Sequence, residues 1–322
     1  MPHARATKAL RTFRPGLRFA LHWLAVRDGG NGSAVARAKP LGAAGDQARE
    51  SLIVKLLPAT PEGRAKLTRE FARQSVASAA MNGTDLRVPR PMWLGDTLAA
   101  AIYEDAGGKT LSQLWAGLAT PADGAPLLHA AGRWLRAYHT LSARAAPFSP
   151  APHLNWLLKG VAAHRAGQRT IPEFTRLEAQ IPALHALAKA SHGQPNTRAI
   201  THRDFHLRNL IQRRSGQTFG FDFENDAEDE ALRDSAFLLN DALIHWPGPC
   251  PDPADFAPAM AGFHAGYGAP AAAPAVCAFF QKFAALNAWA KLGTQPASGP
   301  ARRRRLACLI ALAETGQALL HP

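Results

Sequence analysis

Alternating and helix-period apolar positions divide the chain into a strand-rich first third and a helix-rich remainder. FALHWLAVR (19–27) and SAVARAKP (33–40) flank DGGNG, whose glycines and asparagine suit positive φ, so a hairpin is expected there. LGAAGDQARE (41–50) reads as a flexible connection, and SLIVKLLP (51–58) as a strand whose apolar run is interrupted by Lys55. Thr60 followed by Pro61 signals an N-cap and first helical position, with Leu67, Phe71 and Ser75 as the inward stripe. A strand ends at Tyr103, and Gly107 and Gly108 precede another helix. Leu127, Leu128, Ala131, Trp134, Leu135 and Tyr138 share one helical stripe. Residues 155–164, 174–189, 259–267, 275–292 and 301–320 read as further helices between Pro-rich breaks, with PGPCPDPADFAP from Pro247 as a loop. No internal repeat is apparent.

Candidate chemistry concentrates in THRDFHLRNLIQRRSGQTFGFDFEND, residues 201–226. Residues 209–213 and 219–223 read as two strands around Ser215-Gly216. A two-residue turn there sets Arg214 opposite Gln217, Leu210 opposite Phe221 and Asn209 opposite Asp222. Directly opposed residues share a face, with Cα atoms about 4.5 to 5.5 Å apart. Phe219, Phe221 and Phe223 then lie on one face, and Gly220, Asp222 and Glu224 on the other. An amide oxygen of Asn209 and the Asp222 carboxylate converge as hard ligands for Mg²⁺. A three-residue turn slips the register and removes this pairing. Asp204, five residues before Asn209, is placed to accept the proton of an attacking hydroxyl.

His202, Asp204 and Asn209 match the H-x-D-x-x-x-x-N catalytic loop of the eukaryotic-type kinase superfamily. With His206 the pattern resembles the aminoglycoside phosphotransferase and choline kinase branch, whose metal-binding Asp is followed by an aromatic and often a Glu, as in Asp222-Phe223-Glu224. RDSAFLL from Arg233 resembles that family's next helix, whose aspartate, here Asp234, braces the catalytic loop, and WLRAYH resembles its helix ending in histidine, here His139. The resemblance runs from about Leu17 onward. It implies an α+β, bilobal protein-kinase-like fold: a small N-terminal lobe of antiparallel sheet with one helix over residues 1–106, its first 16 residues a flexible tail, and a larger, mainly helical lobe over 107–322.

The same resemblance implies the site. Lys55, fixed by Glu70, holds the α- and β-phosphates of ATP or another nucleoside triphosphate, and Gly30, Asn31, Gly32 and Ser33 cover the phosphates. The Glu104 carbonyl and Ala106 amide hold the base. Asn209 and Asp222 bind Mg²⁺, Asp204 orients and deprotonates the acceptor hydroxyl, and His206, Glu224 and Asp226 face the acceptor. The expected activity is ATP-dependent phosphorylation of a hydroxyl on a small molecule such as an aminoglycoside, amino sugar, sugar or choline-like alcohol. A catalytically silent nucleotide-binding scaffold is the alternative.

Charge and cysteine content add less. The formal net charge is +13, from 37 Lys and Arg against 24 Asp and Glu, and ARRRRL (301–306) invites a nucleic-acid reading. No aromatic-basic interleaving accompanies it, so a solvated helix face is expected and no nucleic-acid partner. Acids crowd residues 222–234, and both an acceptor-side rim for a cationic substrate and an acid-dressed helix start remain open. Three cysteines without metal-ligand spacing suggest reduced thiols and a cytoplasmic location. No apolar run is long enough to span a bilayer, so no membrane partner is expected.

Overall fold

A computed structural model of the 322-residue chain describes residues 2–26, 33–41, 50–83, 85–223, 227–269, 271–293, 299–315 and 320. The chain forms two compact units. The first comprises Met1–Lys109 with Ile211–Asp226, the second Thr110–Leu210 with Ala227–Pro322. The segment Ile211–Asp226 thus groups with the N-terminal residues, whereas a single cut after residue 106 leaves it with the C-terminal ones.

The first unit begins with α1 (Pro2–Phe13), followed by β1 (Arg18–Val26), β2 (Ala34–Leu41), β3 (Leu52–Leu56), α2 (Pro61–Met81), β4 (Leu86–Arg87), β5 (Pro91–Gly95) and β6 (Ala100–Glu104). A five-stranded antiparallel sheet runs in the order β1-β2-β3-β6-β5. Alternation along β3 gives it two working faces. Leu52, Val54 and Leu56 are buried in a core shared with Ala6, Ala9 and Leu10 of α1. Ile53 turns the other way, toward a second cluster of Leu57, Leu67, Ala101 and Tyr103 beside α2.

The expected N-terminal tail is instead helical, so among its described residues this unit has two α-helices rather than one. Ala6, Ala9, Leu10 and Phe13 fall at helical spacing and bury one stripe, while Arg5 donates to the carbonyls of Leu57, Leu98 and Ala99. Small alanines and a carbonyl-capping arginine make that stripe inconspicuous in sequence. Helix α2 starts as its signals require: the Thr60 hydroxyl accepts from the Gly63 amide at 3.2 Å, and Pro61 opens the first turn. Its buried face carries Leu67, Glu70, Gln74, Ala77 and Met81, while Ser75 turns its hydroxyl back to the Phe71 carbonyl.

After β7 (Lys109–Thr110) come α3 (Leu111–Trp115), α4 (Ala125–Thr140), β8 (Arg144–Pro147), α5 (Ala151–Arg165), α6 (Phe174–Ala179), α7 (Ile181–Ser191) and β9 (Pro195–Ile200). The hairpin strands are β10 (Leu210–Gln212) and β11 (Thr218–Gly220), and β11 also pairs with β4 in parallel. Then follow β12 (Glu228–Glu230), α8 (Leu232–Ile244), α9 (Pro253–Tyr267), α10 (Pro274–Leu292) and α11 (Pro300–Thr315). β12, β9 and β8 form an antiparallel sheet, and β9 leads into the loop at residue 201. The apolar stripe of α4 is buried along its length. Helix α9 packs on it closely enough that Cβ atoms on Gly132, Gly262 and Gly266 would meet backbone oxygens at 2.4, 2.3 and 2.2 Å.

Three helix expectations change. Residues 174–189 form two helices interrupted at Gln180, where Pro182 opens the second. Helix α9 begins inside the segment expected as a loop, because Asp252 caps it by accepting from the Ala254 amide at 3.0 Å and Pro253 starts its first turn. Helix α11 is described to Thr315; residues 316–319 lie outside the described residues, and Leu320, the expected last residue, is not helical. Cys250 and Cys308, 58 residues apart, are joined in a disulfide, against the expectation of three reduced thiols; Cys277 is buried and free. The pairing follows from the approach of the chain around residue 250 to α11, which spacing does not reveal. Among the described residues no helix is long and apolar enough to cross a membrane.

Candidate active site

Lys55 occupies the middle of β3, on the face opposite Val54, with Val35 and Ala101 as its cross-strand neighbours. An ammonium on a central strand needs anionic partners. It has two: Nζ lies 2.8 Å from Glu70 Oε2 and 2.5 Å from Asp222 Oδ1. Burial opposes the lysine's charge, but the two carboxylates outweigh it and raise its pKa above the ordinary value. Glu70 also has Lys66 one helical turn away at 3.6 Å. Burial beside this cluster raises the Tyr103 phenol's pKa as well.

The Lys55 to Glu70 pair joins two elements whose periodicities are legible in sequence, whereas the Lys55 to Asp222 contact, across 167 residues, has no sequence signal. Asp222 also departs from the expected strand. β11 ends at Gly220, and Asp222 adopts the left-handed region at φ +68°, unusual for a residue other than glycine. The aromatic alternation is correspondingly broken: Phe219 and Phe223 are buried, but Phe221 is only half-buried.

The hairpin turn is the main correction. The Arg213 amide donates to the Gln217 carbonyl at 2.9 Å and the Gly216 amide to the Arg213 carbonyl at 3.0 Å, with Gly216 at φ +87°. The loop therefore has three residues, Arg214, Ser215 and Gly216, and Arg213 rather than Arg214 faces Gln217. A type I turn closed by a left-handed glycine accounts for it. The one-residue slip removes the strand-register reason for setting Asn209 opposite Asp222. Asn209 itself ends a 3₁₀ turn, Leu207–Asn209, rather than starting a strand.

In the second unit, the loop after β9 holds Asp204, His206 and Asn209 together. Asn209 Nδ2 donates to the Asp204 carbonyl at 2.9 Å and reaches Asp204 Oδ2 at 3.3 Å; His206 Nε2 is also 3.3 Å from Oδ2. The hydrogen bond from His206 is the chief reason the Asp204 carboxyl is depressed to about 2. Burial works against a charge on His206, but Asp204 and the nearby Asp241 raise its pKa. Asp204 is half-exposed.

The loop is braced from below by Asp234, which is fully buried. One oxygen accepts from the His202 amide at 2.6 Å and the other from the Arg203 amide at 3.0 Å. This holds Arg203 at φ +65° immediately before Asp204. His139 Nε2 adds a third contact at 3.2 Å, and its Nδ1 meets the Tyr267 hydroxyl at 2.9 Å. Burial opposes ionisation of Asp234, yet the His139 bond and neighbouring positive charge hold its pKa down. The His202 ring lies among Trp134, Tyr138 and Phe205. Nothing in the sequence links Tyr267 of α9 to this loop.

Glu104 and Ala106 line a cavity of about 280 Å³ in the first unit, together with Leu52, Met92 and Arg213. The residues Gly30, Asn31, Gly32, Glu224 and Asp226, assigned to phosphate covering or the acceptor, lie outside the described residues, and Ser33 just precedes β2.

Asp222 and Asn209 each carry a hard oxygen donor of the kind that divalent cations take. Asp222 offers a carboxylate, and Asn209 Nδ2, turned to the Asp204 carbonyl, leaves the amide oxygen facing the other way. Among the described residues no three His, Cys, Asp or Glu side chains gather as a self-contained metal cage.

Comparison with known proteins agrees with this architecture. No curated protein matches the sequence. Among solved structures, an aminoglycoside phosphotransferase aligns at 12% identity and TM-score 0.60, over 98% of this chain and 99% of its own. A choline kinase from Streptococcus pneumoniae aligns at 14% and 0.55, over 98% and 100%. An amicoumacin kinase in complex with AMP-PNP, Ca²⁺ and Ami aligns at 17% and 0.55, over 99% and 96%. These likenesses show an α+β, protein-kinase-like fold. The sequence profile described as the phosphotransferase enzyme family matches residues 42–280, well over half of the chain. The chain belongs to the phosphotransferase enzyme family.

Proposed function

We propose that this protein transfers the γ-phosphoryl group of ATP to a hydroxyl of a small molecule. The observation that carries the reading is Lys55, a lysine on a central strand bound at ion-pair distance by both Glu70 and Asp222. Such a cation is expensive to keep beneath a sheet unless it has an anionic task. In this reading Glu70 holds the ammonium against the α- and β-phosphates, with Ser33 and the glycine-containing segment before it covering them. The Glu104 carbonyl and Ala106 amide receive the base. Asn209 and Asp222 hold Mg²⁺, which neutralises charge developing on the phosphate oxygens.

Asp204, ionised throughout the working pH range, accepts the hydrogen bond of the acceptor hydroxyl and aims its oxygen before the proton leaves. His206 sets the direction of that carboxylate. Of the nucleotide-side residues, Lys55, Glu70, Glu104, Ala106 and Asp222 belong to the first unit, whereas Asn209 belongs with Asp204 to the second, so we assign nucleotide binding chiefly to the first unit and acceptor activation to the second. The solved relatives are named for aminoglycosides, choline and amicoumacin. An amine-bearing alcohol is accordingly the acceptor class to try first.

The test is ATP turnover against a panel of aminoglycosides, amino alcohols including choline, amino sugars and neutral sugars, with the product read by phosphorus NMR. Acceptor-dependent ADP and a new phosphate monoester are expected. Tight nucleotide binding without turnover on any acceptor would identify a scaffold instead.

A further inference from the structure

The three-residue hairpin loop makes Arg213 its closing residue, and this aims the side chain back at the cavity beside Ala106. The guanidinium lies over the Phe219 ring, 4.5 Å from its centroid. Nε donates to the Ala106 carbonyl, and Nη2 stands 3.5 Å from Glu104 Oε1. A planar cation stacked on a ring and bound at its edge has little freedom to swing away. Glu104 is fixed in turn, exchanging hydrogen bonds with the Arg90 backbone: its amide donates to the Arg90 carbonyl at 2.9 Å, and its carboxylate accepts from the Arg90 amide at 3.2 Å.

We propose that Arg213 is a specificity-determining residue that admits adenine and rejects guanine by occupying the Ala106 carbonyl. The inference rests on the phosphotransferase reading, in which this cavity receives the base. The backbone from Glu104 to Ala106 offers three groups in sequence: the Glu104 carbonyl, the Ala106 amide and the Ala106 carbonyl. Adenine presents a donor, N6–H, beside an acceptor, N1, and matches the first two. Guanine presents an acceptor, O6, beside a donor, N1–H. To pair with the same amide it must shift by one group and donate to the Ala106 carbonyl. A carbonyl oxygen has two lone pairs, but one of them already accepts from Arg213, so an incoming N1–H would have to approach the other beside the guanidinium's own N–H donors. A buried donor left unpaired weakens binding by roughly tenfold or more.

The experiment is calorimetric titration of the full chain with MgATP, MgGTP and MgITP. Inosine carries the O6 and N1–H of guanine without its 2-amino group, so ITP isolates the edge that Arg213 opposes. On the unmodified protein ATP should bind about tenfold or more tighter than both GTP and ITP. In Arg213→Met, which keeps the aliphatic stem over Phe219 but has no donor, the ATP-to-GTP affinity ratio should fall by about the same factor. Equal binding of ATP and ITP to the unmodified protein overturns the inference without recourse to any variant. So does an unchanged ratio in Arg213→Met whose thermal midpoint shows it folded. If the unmodified chain binds none of the three nucleotides, the phosphotransferase reading falls and the inference with it.

Discussion

Glu70 and Asp234 are both buried carboxylates beside candidate catalytic residues, yet they are neutralised by different means. Glu70 meets the ammonium of Lys55, which keeps a second carboxylate, Asp222, in reserve. Asp234 meets the amides of His202 and Arg203 and the ring of His139. The first arrangement is a clamp of side chains, where removing one acid leaves the cation still paired. The second is a brace on the backbone, where donors are fixed by the chain path and one acceptor serves them all. A clamp can therefore lose a member by degrees, whereas the brace fails as a unit.

The largest effect should come from the group that the brace positions. Asp204→Asn keeps size and hydrogen bonding but cannot accept the hydroxyl proton, so kcat should fall by about 10² to 10⁴ with nucleotide affinity nearly unchanged. A loss confined to MgATP affinity, with saturated turnover intact, removes Asp204 from the acceptor side.

Next is the brace itself. Asp234→Asn replaces one acceptor oxygen by an amide NH₂ that faces existing donors. Loss of a charge-assisted bond should cost about 1.5 to 3 kcal/mol in denaturant unfolding. Loosening the loop should also lower kcat by up to about 10². The depressed pKa fixes the pH sign: ionised Asp234 stabilises the fold above its unfolded pKa near 3.8, and this is lost as pH falls through the lower folded value. Asp234→Asn should blunt that acid limb, and an unaltered one would assign acid unfolding elsewhere.

The clamp should respond more gently. Lys55→Ala and Glu70→Ala, combined in a double-mutant cycle of unfolding free energy, should couple by about 0.5 to 3 kcal/mol. Glu70→Ala alone should be milder than Lys55→Ala, since Asp222 still holds the lysine. Additive losses would dissolve the clamp.

The smallest effect belongs to a carboxyl with neither device. Glu230 is buried with the Asn196 amide donating to it and Arg198 only at 3.9 Å. Burial pushes its pKa up to about 7. The proton it retains favours the native state below its unfolded pKa near 4.5, and that contribution fades as pH rises through about 7. The Tm difference between Glu230→Gln and the unmodified protein should therefore shift in favour of the variant from pH 5 to 8. A difference flat in pH would show that Glu230 ionises normally.

Within this comparison the clamp was the more legible half. A short apolar run interrupted by one lysine puts Lys55 on a buried strand, and a helical spacing of three from Leu67 puts Glu70 on the inner face of α2, so two local rules converge on one pair. The brace was readable only through resemblance, because no local pattern shows that the carboxylate of Asp234 reaches two amides some thirty residues earlier.

The sequence by itself determined the start of α2, the identity of β3, the buried stripe of α4 and the Asp204 to Asn209 loop, since each rests on contacts within a few residues. Tertiary structure alone decided the three-residue hairpin loop, which lifts Asp222 out of strand geometry and turns Arg213 onto Ala106. It also decided the packing of α1, the joining of Cys250 to Cys308 and the second acid on Lys55. Ser215-Gly216 is compatible with both two-residue and three-residue turns, and the choice falls to strand pairing and side-chain packing far along the chain. Such contacts are settled by which surfaces bury the most together, a property of the whole fold rather than of any one segment.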